Sequence, residues 1–268
     1  MTKAVRRGAA AASAAGRSGG GLRRVDVTLM PSEVDRATLD GRQIVVIDVL
    51  RSCTSIAVAL ANGAAKIIPV ATVEEATKLA QTLDPKSRLL SGERDGNKVS
   101  GFDLGNSPRD YTRERVEGKT IVFASSNASP LMAGLLGGRE QRLLSYVNLS
   151  AVTDEVMKAG HDLTIVCAGR AGRFSLEDAA CAGALVARLS NLVIGLELND
   201  AAELTREYDR SHGQDVEGML RRSEHGRYLI ELGFEEDLPV CAKIDSVPVV
   251  PHLKEKRISA PSGANTPA

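Results

Sequence analysis

Residues 92–107 place carboxylates, an arginine, an amide and several glycines in one short stretch, which reads GERDGNKVSGFDLGNS and precedes a proline. Glycine lets a backbone approach a ligand closely, and charged side chains on connections are typical of binding and catalytic sites. Glu93, Arg94, Asp103 and Asn106 are therefore candidate site residues. Arg94 offers a planar fork for a phosphoryl or sulfonate group. The alternative for each is an ordinary solvated loop residue.

Asp48 stands directly after the apolar run of residues 44–47 and three residues before Arg51. A carboxylate at the end of a buried strand is a common metal or catalytic position, because burial without a partner is costly. The alternative is a helix cap or a pair with Arg51. Ser52 and Thr54 open the next helical pattern, where free amides favour an anion such as phosphate, although simple capping needs only one hydroxyl.

Ser125, Ser126 and Asn127 repeat this arrangement after the apolar run of residues 120–124, with the same two interpretations. Farther along the chain, Ser175 and Asp178 have the spacing of a capping box. Glu177 is not needed for that box. Because magnesium prefers a few carboxylates together with water and substrate oxygens, Glu177 or Asp178 is a candidate metal ligand or water-orienting group.

Cys167 and Arg173 have the C-x5-R spacing of cysteine phosphatases, in which a thiolate attacks phosphorus and the arginine binds its oxygens. The spacing is short and degenerate, and a buried thiol is the favoured interpretation of Cys167. The histidines lie in polar stretches that form no ligand pair, so no role is assigned to them: His161, His212, His225 and His252.

Strand-like apolar runs alternate with helical patterns along most of the chain. Strands are predicted at residues 25–29, 44–47, 67–70, 120–124, 143–147, 163–167 and 239–244, and helices at about 56–61, 73–83, 131–136 and 175–189, with a helical, charged region from residue 200. Three strand, polar turn and helix units predict an α/β fold, with a mixed or mostly parallel sheet flanked by helices. Ile44 and Ile121 fall at equivalent positions of two units, and this repetition suggests the hypothesis of an internal duplication. Ligands of such sheets bind beyond the carboxyl ends of the strands, where the three polar turns are expected.

Charge and composition exclude several classes of function. Residues 1–24 hold six of the 34 basic residues and none of the 34 acidic ones, so the rest of the chain is net acidic, and aromatic residues make up 3%. This predicts no nucleic-acid partner. Scattered cysteines without metal-ligand spacing favour a reducing, cytoplasmic compartment, and no stretch is apolar enough for a membrane helix. Residues 1–24 are expected to be a disordered extension and 259–268 a flexible tail, on either side of one domain at 25–258.

The motifs together resemble the 2-phosphosulfolactate phosphatase family over about residues 25–258. The segments that carry the resemblance are DVLR at 48–51, ANGA at 61–64, GER at 92–94, GFDLGNSP at 101–108, CAG at 167–169 and ED at 177–178. The octet at 101–108 is specific. The chain departs from the family pattern at residues 52–55 and at 125–129, where Ala128 replaces a glycine and narrows the backbone's approach to a ligand.

The resemblance implies hydrolysis of (2R)-2-phospho-3-sulfolactate to 3-sulfolactate and phosphate with Mg²⁺, in coenzyme M biosynthesis, with a homodimer as a candidate assembly. The implied catalytic residues are Asp48, Arg51, Glu93, Arg94 and Asp178, the substrate-binding residues are Ser52, Thr54, Asn106, Ser125, Ser126 and Asn127, and the metal ligands are Asp48, Glu93, Asp103 and Glu177. Two alternatives stay open at this point. One is a phosphatase for another small phosphorylated acid, and the other is a catalytically silent anion-binding protein.

Overall fold

The computed structural model describes residues 21–135 and 137–260. Within this part of the chain, eleven strands form one mixed sheet in the order β5-β4-β6-β3-β11-β10-β7-β2-β8-β1-β9. The strands are β1 Arg24–Thr28, β2 Gln43–Ile47, β3 Lys66–Pro69, β4 Arg88–Arg94, β5 Asn97–Lys98, β6 Thr120–Ala124, β7 Glu140–Leu144, β8 Leu163–Cys167, β9 Glu197–Leu198, β10 His252–Lys254 and β11 Arg257–Ser259. The α/β class with a mixed, mostly parallel sheet is confirmed.

Two parallel blocks of strands make up most of the sheet. In one block β6 pairs with β3 and β4, and in the other β7, β2, β8, β1 and β9 pair side by side, all in parallel. The hairpin β10–β11 joins the blocks through antiparallel pairs to β7 and β3. Since strands of each block run the same way, the turns that follow β2 and β8 meet at one sheet edge, and so do those after β4 and β6.

Helices cover both faces of the sheet. The helices are α1 Ser52–Ala61, α2 Val73–Ala80, α3 Arg113–Val116, α4 Ala128–Gly134, α5 Leu149–Ala159, α6 Leu176–Leu192, α7 Asp200–His212, α8 Val216–Arg222, α9 Glu224–Glu231 and α10 Asp237–Ala242. Every residue of β2 is buried. Its Val45 and Ile47 pack in the cluster that contains α5 and α6, whereas Ile44 and Val46 pack with α1 and α4. The alternation of strand side chains between two covered faces thus accounts for its unbroken apolar sequence.

Several predicted elements need correction. The strand predicted at 239–244 is wrong, because this segment is the helix α10, and the strand predicted at 143–147 begins three residues earlier, as β7. The connection predicted at 92–108 contains the end of β4 and all of β5. The helix predicted at 131–136 is α4, and Leu136 lies outside the described residues, as do residues 1–20 of the predicted extension and 261–268 of the predicted tail.

The N-terminal boundary lies earlier than the sequence pattern placed it. Arg24 is the first residue of β1, and Leu22 is buried in the hydrophobic cluster that contains α5 and α6. No helix among residues 21–135 and 137–260 is long and apolar enough to cross a membrane.

A substitution at Gly92 tests how closely β4 packs against β6. The glycine pairs with Ala124, and a Cβ built on it would lie 2.1 Å from the carbonyl oxygen of Ala124. We expect Gly92→Ala to lower the free energy of unfolding by at least about 2 kcal/mol, because backbone rather than a flexible side chain must move. Denaturant unfolding measures this. In the control, Gly134→Ala, the added Cβ meets no atom within 4 Å, and we expect a change within about 0.5 kcal/mol. Equal stability of the two variants would contradict the close approach.

Candidate active site

A cavity of about 530 Å³ opens where β2, β4, β6 and β8 end, and residues of α9 also line it. We call it the main cavity. Its walls carry the residues Asp48, Leu50, Arg51, Ser52, Glu93, Asp95, Gly96, Asn106, Ser126, Asn127, Arg170, Ala171, Arg173, Phe174, Ser175, Leu176, Glu177, Glu224, His225 and Tyr228. The polar turns after β2, β6 and β8 therefore converge, and they come from both parallel blocks of the sheet.

Asp48 is buried at the end of β2, where its Oδ1 accepts a hydrogen bond from the Ser52 amide at 2.9 Å. It is thus a helix cap and a cavity carboxylate at once. Burial raises its pKa to about 6, against the opposing effects of the Ser52 amide and of His225. Asn106 Nδ2 lies 3.3 Å from Ser52 Oγ, so Ser52 links the two side chains. The Asn106 Oδ1 atom is buried and accepts no hydrogen bond from any described residue.

Both carboxylate oxygens of Glu93 accept hydrogen bonds, and these bonds join the turn after β6 to the β4–β5 turn. Its Oε1 accepts from the Ser126 amide at 2.6 Å, and its Oε2 accepts from Ser126 Oγ at 3.1 Å and from the Gly96 amide at 2.9 Å. The carboxylate is buried at 7% exposure. These contacts make Glu93 a positioning residue for the turn after β6 and for the β4–β5 turn.

Glu177 and His225 form a pair inside the main cavity. His225 Nδ1 lies 3.0 Å from Glu177 Oε1, and Glu177 is almost fully buried. Burial opposes ionisation of Glu177, but the hydrogen bond and the charge of His225 outweigh it, so the pKa of this carboxyl lies below its usual range. The arrangement fixes the imidazole and leaves Nε2 as its other reactive atom.

Asp178 lies behind the main cavity and bridges the turns after β2 and β8. Its Oδ1 accepts from the Val49 amide at 2.9 Å and its Oδ2 from the Gly169 amide at 3.0 Å. Burial, together with the charges of Asp48 and Glu177, raises its pKa well above the usual range. The capping box expected from Ser175 and Asp178 is absent, since the Ser175 side chain makes no cap hydrogen bond.

Arg51 lines the main cavity, but its guanidinium is engaged by the protein. It donates to Asp237 Oδ2 at 2.8 Å and to the Gly96 carbonyl at 2.6 Å, and it lies 4.2 Å from the centre of the Phe234 ring. Arg51 and Asp237 are 2% and 1% exposed. The alternative pairing of Arg51 with Asp48 does not occur, and its geometry suits positioning better than substrate contact.

Five predicted site residues do not line the main cavity. Asp178 lies behind it, as described above. Arg94 donates to the Glu93 carbonyl, and the exposed Asp103 accepts from the Leu90 amide at 2.7 Å. Thr54 Oγ1 donates to the Val49 carbonyl, and Ser125 exchanges hydrogen bonds with Ser129. Hydrogen bonds with backbone atoms therefore engage these five side chains. The other eight predicted site residues line the main cavity together.

Sequence reasoning missed His225, Arg170 and Tyr228. Their segments are far apart in the sequence, and no spacing connects His225 with Glu177. The Cys167–Arg173 spacing did point to the turn that carries the arginines, but for another chemistry. Cys167 is fully buried in β8, and burial raises the pKa of its thiol well above the usual range. A thiolate nucleophile is therefore not supported.

The main cavity offers oxygen ligands for a hard cation. No group of three or more His, Cys, Asp and Glu side chains that could hold a metal occurs among residues 21–135 and 137–260. Magnesium does not need such a cage, because it is commonly held by one or two carboxylates, water and substrate phosphate. Asp48 and the unpartnered Asn106 Oδ1 have the donor chemistry that it prefers. The residues present therefore fit this ion.

These features define an α/β enzyme with a site for a small charged molecule where strands of both parallel blocks end. The model of the 2-phosphosulpholactate phosphatase family matches residues 28–256. This chain therefore belongs to the 2-phosphosulfolactate phosphatase family, whose members are phosphoric monoester hydrolases, and the resemblance seen in the sequence motifs is confirmed.

Three curated relatives illustrate the similarity, and each is named a probable 2-phosphosulfolactate phosphatase. The protein of Thermotoga petrophila is 41% identical over 231 residues, which cover 85% of this chain and 95% of the relative. That of Carboxydothermus hydrogenoformans is 40% identical over 237 residues, covering 88% and 96%. That of Caldanaerobacter subterraneus is 37% identical over 223 residues, covering 83% and 92%.

The Arg51–Asp237 pair gives a prediction about stability. Asp237→Asn removes one charge of a buried pair, which typically costs about 3–5 kcal/mol of unfolding free energy. Calorimetric or denaturant unfolding measures the loss. As a control, Asp245→Asn breaks a pair with Arg188 that is about one-third exposed, and we expect a cost of about 1 kcal/mol or less. Equal effects of the two substitutions would show that the buried pair has no special role.

Proposed function

We propose that this protein hydrolyses (2R)-2-phospho-3-sulfolactate to 3-sulfolactate and phosphate, and that the reaction requires Mg²⁺. Family membership and the names of the relatives support the substrate. The structural observation that carries the proposal is one cavity in which buried carboxylates, an unpartnered amide oxygen and arginines meet. A phosphate ester needs both metal ligands and cationic groups, and the main cavity brings the two together.

Asp48 and Asn106 are the residues that would hold the ion. Ser52 links them, and Oδ1 of Asp48 is fixed by the Ser52 amide, so their oxygens are already oriented. When bound, Mg²⁺ would neutralise the charge of the phosphoryl group and orient the phosphoryl oxygens. Glu93 is less suited to this role, because both of its oxygens accept hydrogen bonds from Ser126 and Gly96.

The Glu177–His225 pair would move the proton of the reaction. Hydrolysis forms a bond between a water oxygen and phosphorus and breaks the bond between phosphorus and the ester oxygen, which leaves as an alcohol after taking up a proton. Glu177 accepts the Nδ1 proton of His225 and keeps the ring oriented, so Nε2 can donate a proton to the leaving oxygen or accept one from water. The low pKa of Glu177 keeps its carboxylate charged beside the imidazole.

Asp48→Asn tests the metal proposal. Asparagine keeps an oxygen that can accept from the Ser52 amide but removes the negative charge, so the melting temperature should change little. We expect phosphate release at saturating Mg²⁺ to fall at least about a hundredfold and Mg²⁺ binding, measured by calorimetry without substrate, to weaken. Asp103→Asn, an exposed carboxylate outside the main cavity, is the matched control and should behave like the wild type.

Two outcomes would contradict this assignment. Wild-type turnover in Asp48→Asn would show that Asp48 is only a helix cap. Turnover that survives exhaustive chelation but disappears in Cys167→Ser would support a thiolate mechanism despite the burial of that residue.

His225→Gln tests the proton-transfer role. Because a positioned general acid or base contributes about 10²–10⁴ in rate, we expect kcat to fall within that range, with a smaller change in KM. Steady-state kinetics with the same substrate measures both constants. His212→Gln removes an exposed histidine at the end of α7, outside the main cavity, and should leave both unchanged. An unaltered kcat in His225→Gln would rule out the imidazole as proton donor or acceptor.

A further inference from the structure

The turn between β8 and α6 places two arginines at the main cavity in a fixed hairpin, residues 170–173, which we call the arginine hairpin. Arg170 and Arg173 exchange both backbone hydrogen bonds at 2.9 Å. Ala171 and Gly172 between them have φ values of 50° and 72°. Two successive residues with positive φ are typical of a tight two-residue hairpin turn.

Contacts from other segments hold the arginine hairpin in place. The Ala171 amide donates to Asn127 Oδ1 at 2.9 Å, and the Arg170 guanidinium lies 4.3 Å from the centre of the Tyr228 ring. Tyr228 in turn donates from its hydroxyl to the Asp95 carbonyl at 3.0 Å. The backbone that carries Arg173 is thus anchored at several points, although the side chain itself is exposed.

The cations around the main cavity differ in whether the protein already neutralises them. Arg51 is paired with Asp237, Arg170 contacts Glu224 at 3.4 Å, and His225 is bound to Glu177. Among the described residues, the Arg173 guanidinium has no carboxylate, carbonyl or aromatic partner, yet it lines the same cavity. It is therefore the cavity cation whose charge is most available to a ligand.

We infer that Arg173 binds the sulfonate group of the substrate and thereby sets the preference of the enzyme for sulfonated phosphate esters. This inference rests on the proposed function, and it assigns a specificity role to an arginine that the sequence connected only with the chemistry of cysteine phosphatases. The planar guanidinium presents paired N–H donors that match two oxygens of a tetrahedral anion.

Chemistry distinguishes the sulfonate from the other two anionic groups of the substrate. Phosphate and carboxylate oxygens are good ligands for a hard cation, and the donors for that cation lie at Asp48 and Asn106. A sulfonate is a very weak base and a poor metal ligand, so it gains more from guanidinium hydrogen bonds. Because the hairpin is anchored, the backbone around Arg173 loses little further conformational freedom when the side chain binds the anion.

The experiment compares three substrates on the full chain, with Mg²⁺ present. They are 2-phospho-3-sulfolactate, 2-phospholactate, which lacks the sulfonate, and the phosphate ester of 2-hydroxyethanesulfonate, which lacks the carboxylate. We expect Arg173→Gln to raise KM about 10- to 100-fold for the two sulfonated compounds, with little change for 2-phospholactate, as expected for loss of hydrogen bonds to a charged group. Arg173→Lys should recover part of the loss.

Arg227→Gln is the matched control, because it removes an exposed arginine of α9 that does not line the main cavity. We expect it to keep the wild-type ratio of kcat/KM between sulfonated and non-sulfonated substrates. The same ratio in Arg173→Gln as in the wild type would overturn the inference. A loss for 2-phospho-3-sulfolactate and 2-phospholactate, with little change for the ester that lacks the carboxylate, would also overturn it, by assigning the arginine to the carboxylate. Failure of the wild type to hydrolyse any of the three compounds would instead contradict the proposed function.

Discussion

The buried ion pair between Arg51 and Asp237 is the contact on which the geometry of the site depends most. It joins the turn after β2 to α10, and Arg51 also binds the Gly96 carbonyl of the β4–β5 turn. Ser107, from the 101–108 octet, donates to the other oxygen of Asp237 at 2.6 Å. Arg51, the stretch 92–107 and α10, which are distant in sequence, thus share one network. Because a buried charge is costly without its partner, each segment is held to the position that satisfies the others.

Asp178 likewise joins separate segments near Asp48. Its two oxygens accept from amides that follow β2 and β8, so the spacing of these strand ends depends on one side chain of α6. The two carboxylates are close enough that the charge of Asp48 helps raise the pKa of Asp178. A bound divalent cation would relieve this repulsion. The structural network and the proposed metal site therefore depend on each other electrostatically.

The sequence was sufficient where local physics decides the outcome. The apolar runs of β2 and β8 predicted strands, and the polar residues after them predicted a site beyond the strand ends. Local patterns failed at α10, where Pro239 and Val240 suggested a strand, although proline is tolerated in the first turn of a helix. The three-residue strands β10 and β11 carry too few residues for a detectable alternation. No local pattern could indicate a role for His225, because its partner, Glu177, lies 48 residues away.

The distribution of charge explains how one cavity can serve both metal binding and anion recognition. The buried carboxylates of Asp48 and Glu177 line the main cavity, and such a surface would repel a substrate with several negative charges. Arg170 and Arg173 lie at the turn between β8 and α6 and line the same cavity. A cation held by Asp48 and Asn106 would offset this negative charge near a bound phosphoryl group, whereas Arg173 needs no metal to attract an anion. Substrate orientation thus follows from two positive centres that arise in different ways.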